Sequence, residues 1–140
     1  MRRTPASRKT KFPPLLHLSY ILQQVAEEEL LKETGIGLSA ARIMSVLSNT
    51  APLSQRDVAV TLHQTEANVS RQLKTMKSQG LVSINRNMKD SRQRDVVLTA
   101  KGAKHYQSAQ KVLSKQQRQF LKILNAGESA ALEIAAQKLA

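Results

Sequence analysis

The sequence predicts a mainly α fold with a small β wing. Three observations predict it: apolar residues recur at spacings of three and four through most of the chain, capping residues stand ahead of those segments, and two short alternating runs around a polar loop read as a hairpin. A length of 140 residues suits one domain, and 41% apolar residues with only five glycines and four prolines exclude a collagen-like or low-complexity chain. The expected organisation is a flexible basic arm over 1–12 and a single domain over 13–140.

Pro13 and Pro14 can open the first helix, expected over about 14–33, because a first-turn amide has no helical partner to lose. Leu15, Leu18, Leu22 and Val25 recur at helical spacing. Adding Leu16, Ile21, Ala26 and Leu30 widens the apolar arc past about 200°, roughly twice what one packing surface requires. Such a helix needs two neighbours. Gly35 and Gly37 break the pattern, and Ser39 is expected to cap a short helix that buries Ile43, Val46 and Leu47 and ends between Asn49 and Pro52.

Ser54-Gln55-Arg56-Asp57 sets a hydroxyl three residues before a carboxylate, a variant capping box, with Val58, Ala59 and Leu62 as the inward side. Thr65 then caps a second helix whose inward face is Val69, Leu73 and Met76 and which stops at Gly80. Two helices across a tight turn form a helix-turn-helix. The outward face of the second helix carries Ala67, Ser70, Arg71, Lys74 and Lys77, with Asn68 at its edge. Small and basic side chains suit a helix lying in a major groove, since bulk there would hold the backbone off the base edges; they also suit an ordinary solvated face.

Residues 81–85 and 94–99 read as strands, with Asn87-Met88-Lys89-Asp90-Ser91-Arg92 as the tip of a wing. Thr99 is expected to cap a long helix reaching about Leu124, with Tyr106, Ala109, Leu113, Phe120 and Leu124 on one side and Lys104, Lys111, Lys115, Arg118 and Lys122 on the other. Asn125 and Glu128 have capping-box spacing and open a last helix, with Leu132, Ile134, Ala135 and Leu139 distributed around it. That helix must be covered. Apolar helices at both ends therefore point to a homodimer.

The charge is uneven. The formal net charge is +12, and residues 71–140 hold 14 basic and four acidic groups against eight and six in residues 1–70. An anionic partner follows, with the phosphate backbone of nucleic acid the leading candidate. Arg2, Arg3, Arg8, Lys9 and Lys11 form a second basic cluster, read either as a solvated tail or as a DNA-contacting arm.

Other chemistries lack their residues. Without cysteine there is no disulfide scaffold, thiolate zinc site or thiol nucleophile. His17, His63 and His105 are far apart and without metal-ligand spacing, and Gly35-Ile36-Gly37 lacks the third glycine and the preceding strand of a nucleotide-binding turn. No enzyme, metal or cofactor is expected. No stretch approaches the roughly 20 apolar residues that span a bilayer, and no export signal is read after Arg2 and Arg3, so a cytoplasmic protein without membrane partners is expected.

The order helix, helix, helix-turn-helix, wing, long helix, short helix is similar to that of the MarR family of winged helix-turn-helix regulators. From Val69 onward, VSRQLKTMKSQGLVSINRNMKDSRQRDVVLTAKG resembles the family pattern of recognition helix, Gly-Leu-Val, wing Asp-x-Arg, then Leu-Thr and Lys-Gly. Asp90, Arg92, Leu98, Thr99 and Gly102 keep that spacing. Ile84 stands where the family usually places a wing-base arginine, and Arg86 is the basic residue nearby.

The resemblance implies a winged helix-turn-helix over about 39–99, dimerisation helices over about 14–33 and 100–140, and a homodimeric repressor on a pseudo-palindromic double-stranded DNA operator. It implies that Asp90 supports the wing so that the Arg92 guanidinium enters the minor groove. The expected DNA-binding residues are Ser54, Thr65, Ala67, Asn68, Ser70, Arg71, Lys74, Lys77, Arg86, Arg92 and Arg94. Leu15, Leu18, Leu22, Phe120, Leu124, Leu132 and Leu139 are the expected dimer interface. Family members often bind a small anionic or aromatic effector between the DNA-binding lobe and the dimer helices, and no residue set here identifies one. A winged-helix module for protein contacts, without specific DNA binding, is the other reading of the same elements.

Overall fold

In the computed structural model, residues 11–48 and 52–140 are described. Most of the expected arm, residues 1–10, and the helix-ending residues Asn49, Thr50 and Ala51 lie outside them. The first helix, α1 (Pro14–Thr34), opens at the proline pair and closes where the Gly35 amide donates to the Leu31 carbonyl at 3.0 Å. The second, α2 (Leu38–Ser48), starts one residue before Ser39, which corrects the expected cap. The Leu38 amide instead donates to Glu27 Oε2 on α1 at 2.5 Å. A carboxylate at the positive end of a helix is a stronger acceptor than a hydroxyl, so a tertiary contact takes the place of the local one. Gly37 leaves room for it, since a Cβ there would lie 2.7 Å from Glu27 Oε1.

A two-residue strand that the sequence does not predict, β1 (Leu53–Ser54), precedes α3 (Gln55–Thr61) and α4 (Glu66–Ser78). The wing strands are β2 (Val82–Arg86) and β3 (Arg94–Leu98). The sheet is antiparallel in the order β1-β3-β2, with Leu53 opposite Val96 and Ile84 opposite Val96 on the other side. This core is closed by Ile43, Met44, Leu47, Val58, Val69, Leu73, Met76, Leu81, Val82 and Val96. Met44 is fully buried, whereas Val46, expected to face inward, is only half-buried.

Thr99 caps α5 (Ala100–Leu121), its hydroxyl accepting from the Gly102 amide at 3.0 Å. The helix ends three residues before the expected Leu124, because the chain tightens there into i→i+3 bonds from Ile123 to Phe120 and from Leu124 to Leu121. Asn125 then caps α6 (Ala126–Leu139), accepting from the Glu128 amide at 2.8 Å. Leu30, Ala41 and Ala109 form a second buried cluster where α1, α2 and α5 meet.

The two ends of the chain are less covered. Ala26 and Leu30 of α1 are buried, but Leu15, Leu16, Tyr20, Ile21 and Val25 are exposed, and α6 buries nothing. Of the expected interface residues, Leu15 and Leu139 are exposed, whereas Leu18, Leu22, Phe120, Leu124 and Leu132 are half-buried. Leu18, Leu22, Phe120 and Leu132 line an open groove of about 430 Å³ between α1, α5 and α6. Among the described residues no helix is long and apolar enough to cross a membrane.

Candidate nucleic-acid interface

The helix-turn-helix is fastened at each end by short polar contacts. Ser54 Oγ accepts from the Asp57 amide at 3.0 Å and Thr65 Oγ1 from the Asn68 amide at 3.2 Å, so both expected caps are in place. Between them His63 takes a positive φ of 53°, a left-handed turn that histidine tolerates better than branched residues. Gln64 Oε1 then accepts from Asn68 Nδ2 at 3.1 Å and Gln72 Nε2 at 3.0 Å, tying the turn to the first two turns of α4.

With Val69, Leu73 and Met76 buried, helical geometry leaves Ala67, Arg71, Lys74 and Lys77 exposed on α4, with Asn68 and Ser70 half-buried beside them. Ser54 differs from the other expected contact residues: it is buried, in β1, and its hydroxyl is taken by the α3 cap. Thr65 is exposed. Arg56 on α3 and Glu66 at the start of α4 approach to 3.9 Å, both strongly exposed, an ion pair that water leaves weak.

The wing is built around Asn87. Its Oδ1 accepts from the amides of Lys89 at 2.8 Å and Asp90 at 2.9 Å, while its Nδ2 donates to both Asp95 oxygens. Asp90 Oδ1 accepts from the Arg92 amide at 3.0 Å. Asp90 therefore grips the Arg92 backbone, and the exposed side chain of Arg92 extends from a fixed point. Arg86 and Arg94 are direct cross-strand partners and both exposed. Like charges placed opposite one another weaken a hairpin, and an anion between them would remove that cost. Ile84 is half-buried against the core, as its apolar side chain requires.

The exposed cations of α4 and of the wing thus flank one connected motif, helix-turn-helix then hairpin. Residues 34–93 match the model of the MarR family. The chain carries a MarR-family winged-helix domain. At 32% identity over 97 residues it is similar to an uncharacterized HTH-type transcriptional regulator, YdgJ, of Bacillus subtilis strain 168; the match takes in 69% of this chain and only 57% of that protein. Solved structures are similar too, two of them as follows. The S. aureus MepR-DNA complex superposes with a TM-score of 0.80 at 19% identity, covering 94% of this chain and 97% of that one. A MarR/EmrR family transcriptional regulator from Acinetobacter sp. ADP1 gives 0.74 at 26% identity, covering 89% and 88%.

The MarR-family motif has supports that the sequence pattern alone does not display. Asn87 carries an Asx-turn signal that could have been found, since asparagine bonding amides two and three residues on is a local habit. Gln64 and Lys101 give no such signal. Lys101 Nζ donates to the Gln79 carbonyl at 2.8 Å, twenty-two residues away.

Proposed function

We propose that this MarR-family chain is a sequence-specific double-stranded DNA-binding transcriptional regulator, acting in the cytoplasm as a homodimeric repressor on a pseudo-palindromic operator. The observation that carries the proposal is the row of Ser70, Arg71, Lys74 and Lys77 on the outer side of a helix capped at its start and fixed by its buried face. Ala67, Asn68, Ser70 and Arg71, near the helix start, meet base edges in the major groove; Thr65, Lys74 and Lys77 meet phosphates. Arg86 and Arg94 hold backbone phosphate at the wing base, and Arg92 enters the minor groove. Ser54 acts through the α3 cap, which sets the angle of the turn. MepR, of the same fold, was solved with DNA, which supports this reading.

The single domain over 13–140 divides its work: the winged helix over about 39–99 reads DNA, and the helices over 14–33 and 100–140 dimerise through Leu15, Leu18, Leu22, Phe120, Leu124, Leu132 and Leu139. A small anionic or aromatic effector would release the DNA from a site between these parts. Footprinting on fragments selected from genomic DNA tests the proposal. Two related halves about 10 base pairs apart, centre to centre, are expected. Protection of one asymmetric element would refute the symmetric dimer, and no selected fragment at all would favour the protein-contact module.

A further inference from the structure

Three consecutive carbonyls leave the end of α4, and each is taken by the start of α5. Lys101 Nζ donates to the Gln79 carbonyl at 2.8 Å, Thr99 Oγ1 to the Gly80 carbonyl at 2.6 Å, and the Thr99 amide to the Leu81 carbonyl at 3.0 Å. The Thr99 hydroxyl is used twice, since it also accepts from the Gly102 amide to cap α5. Gly102 is seated so closely that a Cβ there would lie 2.1 Å from the Leu81 carbonyl oxygen and 2.7 Å from Leu98 Cδ1. The joint is close-packed as well as hydrogen-bonded. A cation at a helix C-terminus is also favoured by the partial negative charge of the unpaired carbonyls, so Lys101 fits its place on two counts.

The joint connects two elements with different tasks. One is the helix proposed to read DNA, and the other packs on α1 as part of the proposed dimer region. Rotation of α4 against α5 would break three hydrogen bonds and push Gly102 against backbone, so the joint resists it. We propose that Lys101 and Thr99 are positioning residues that transmit the geometry of the dimer helices to the reading helices, and so fix the half-site spacing that the protein accepts. This rests on the DNA-binding, dimeric reading above.

Changing the spacing by one base pair rotates one half-site by roughly 35° about the duplex axis, a misalignment that a rigid joint penalises and a loosened one tolerates. Lys101 is exposed and basic, so its alternative role is a plain phosphate contact. The two roles separate experimentally. Removing a phosphate-binding lysine weakens every spacing alike and reduces the salt slope by about 1, whereas loosening the joint changes the ratio between spacings.

The test uses the full chain and duplexes carrying the selected site with its natural spacing or with one base pair added or removed, titrated at two salt concentrations. Lys101→Met keeps the stem and loses the ammonium, Thr99→Val keeps the shape and loses the hydroxyl, and Lys101→Arg and Thr99→Ser restore donors. The expected result is that the first two narrow the preference for the natural spacing by roughly threefold or more, the scale of one partly exposed hydrogen bond, and that the conservative pair keep it. Melting curves identify any variant whose fold is lost, and the Lys101 pair then decides. Equal weakening at all spacings, or an unchanged ratio in Lys101→Met, would overturn the proposal while leaving DNA binding intact. A wild-type protein that selects no duplex would overturn both.

Discussion

On α4 the large apolar side chains Val69, Leu73 and Met76 are all at 2% exposure or less, whereas α6, with more apolar residues, buries none and leaves Ile134 at 55% and Leu139 at 79%. The two helices differ in what the chain places around them. α4 is enclosed by α2, α3 and β2, the last two each a short connection away, so its core closes within one chain. α6 is the end of a long excursion along α5 and has only an open groove beside it. Apolar surface on that scale is stable in water when something covers it, and a second copy of the chain is the proposed cover.

The largest expected effect contrasts these two regions directly. Leu73→Ala should cost about 2–5 kcal/mol, because it removes a fully buried side chain from a closed core. Ile134→Ala should cost under about 0.5 kcal/mol when measured on protein dilute enough to be monomeric, since the side chain there is already hydrated. Denaturant midpoints for both variants check it; equal losses would erase the distinction between a closed core and an open face.

Second in size is the effect on assembly. The wild-type chain at micromolar concentration should sediment at twice its mass of 15.5 kDa. Leu22→Glu combined with Phe120→Glu places charge in the groove and should yield monomers whose helical signal and α4 core persist. A wild-type monomer would leave the exposed faces of α1 and α6 without the proposed cover.

In both regions, what is legible in the sequence is what is local. Ser54, Thr65, Thr99 and Asn125 are readable as caps because each acts three residues ahead of itself, and the inward rows of α3 and α4 follow from helical spacing alone. What escapes a sequence reading is set by distant partners. Ser39 has the right chemistry for a cap, but Glu27 reaches Leu38 from another helix and moves the start of α2 forward. β1 is two residues long and exists because β3 offers it an edge, so no local alternation marks it. Lys101 reads as one more solvated lysine until the fold brings the α4 carbonyls to it. At the proposed DNA surface, the exposed cations are legible from composition and the Asn87 turn from its local chemistry, whereas the Gln64 hydrogen bonds and the Asn87–Asp95 pair are set by partners the sequence pattern does not display.

The smallest effects, and the most direct test of the claim that α4 reads sequence, come from titrating Arg71→Ala and Lys77→Ala against cognate and random duplexes at two salt concentrations. Arg71→Ala should lose roughly 1–3 kcal/mol on the cognate site and relax the choice of base at one position per half-site. Lys77→Ala should weaken all duplexes alike and reduce the salt slope by about 1. If both variants instead weaken every duplex equally, the basic face of α4 is an electrostatic footing and not a reading surface, which contradicts the proposed role of the helix.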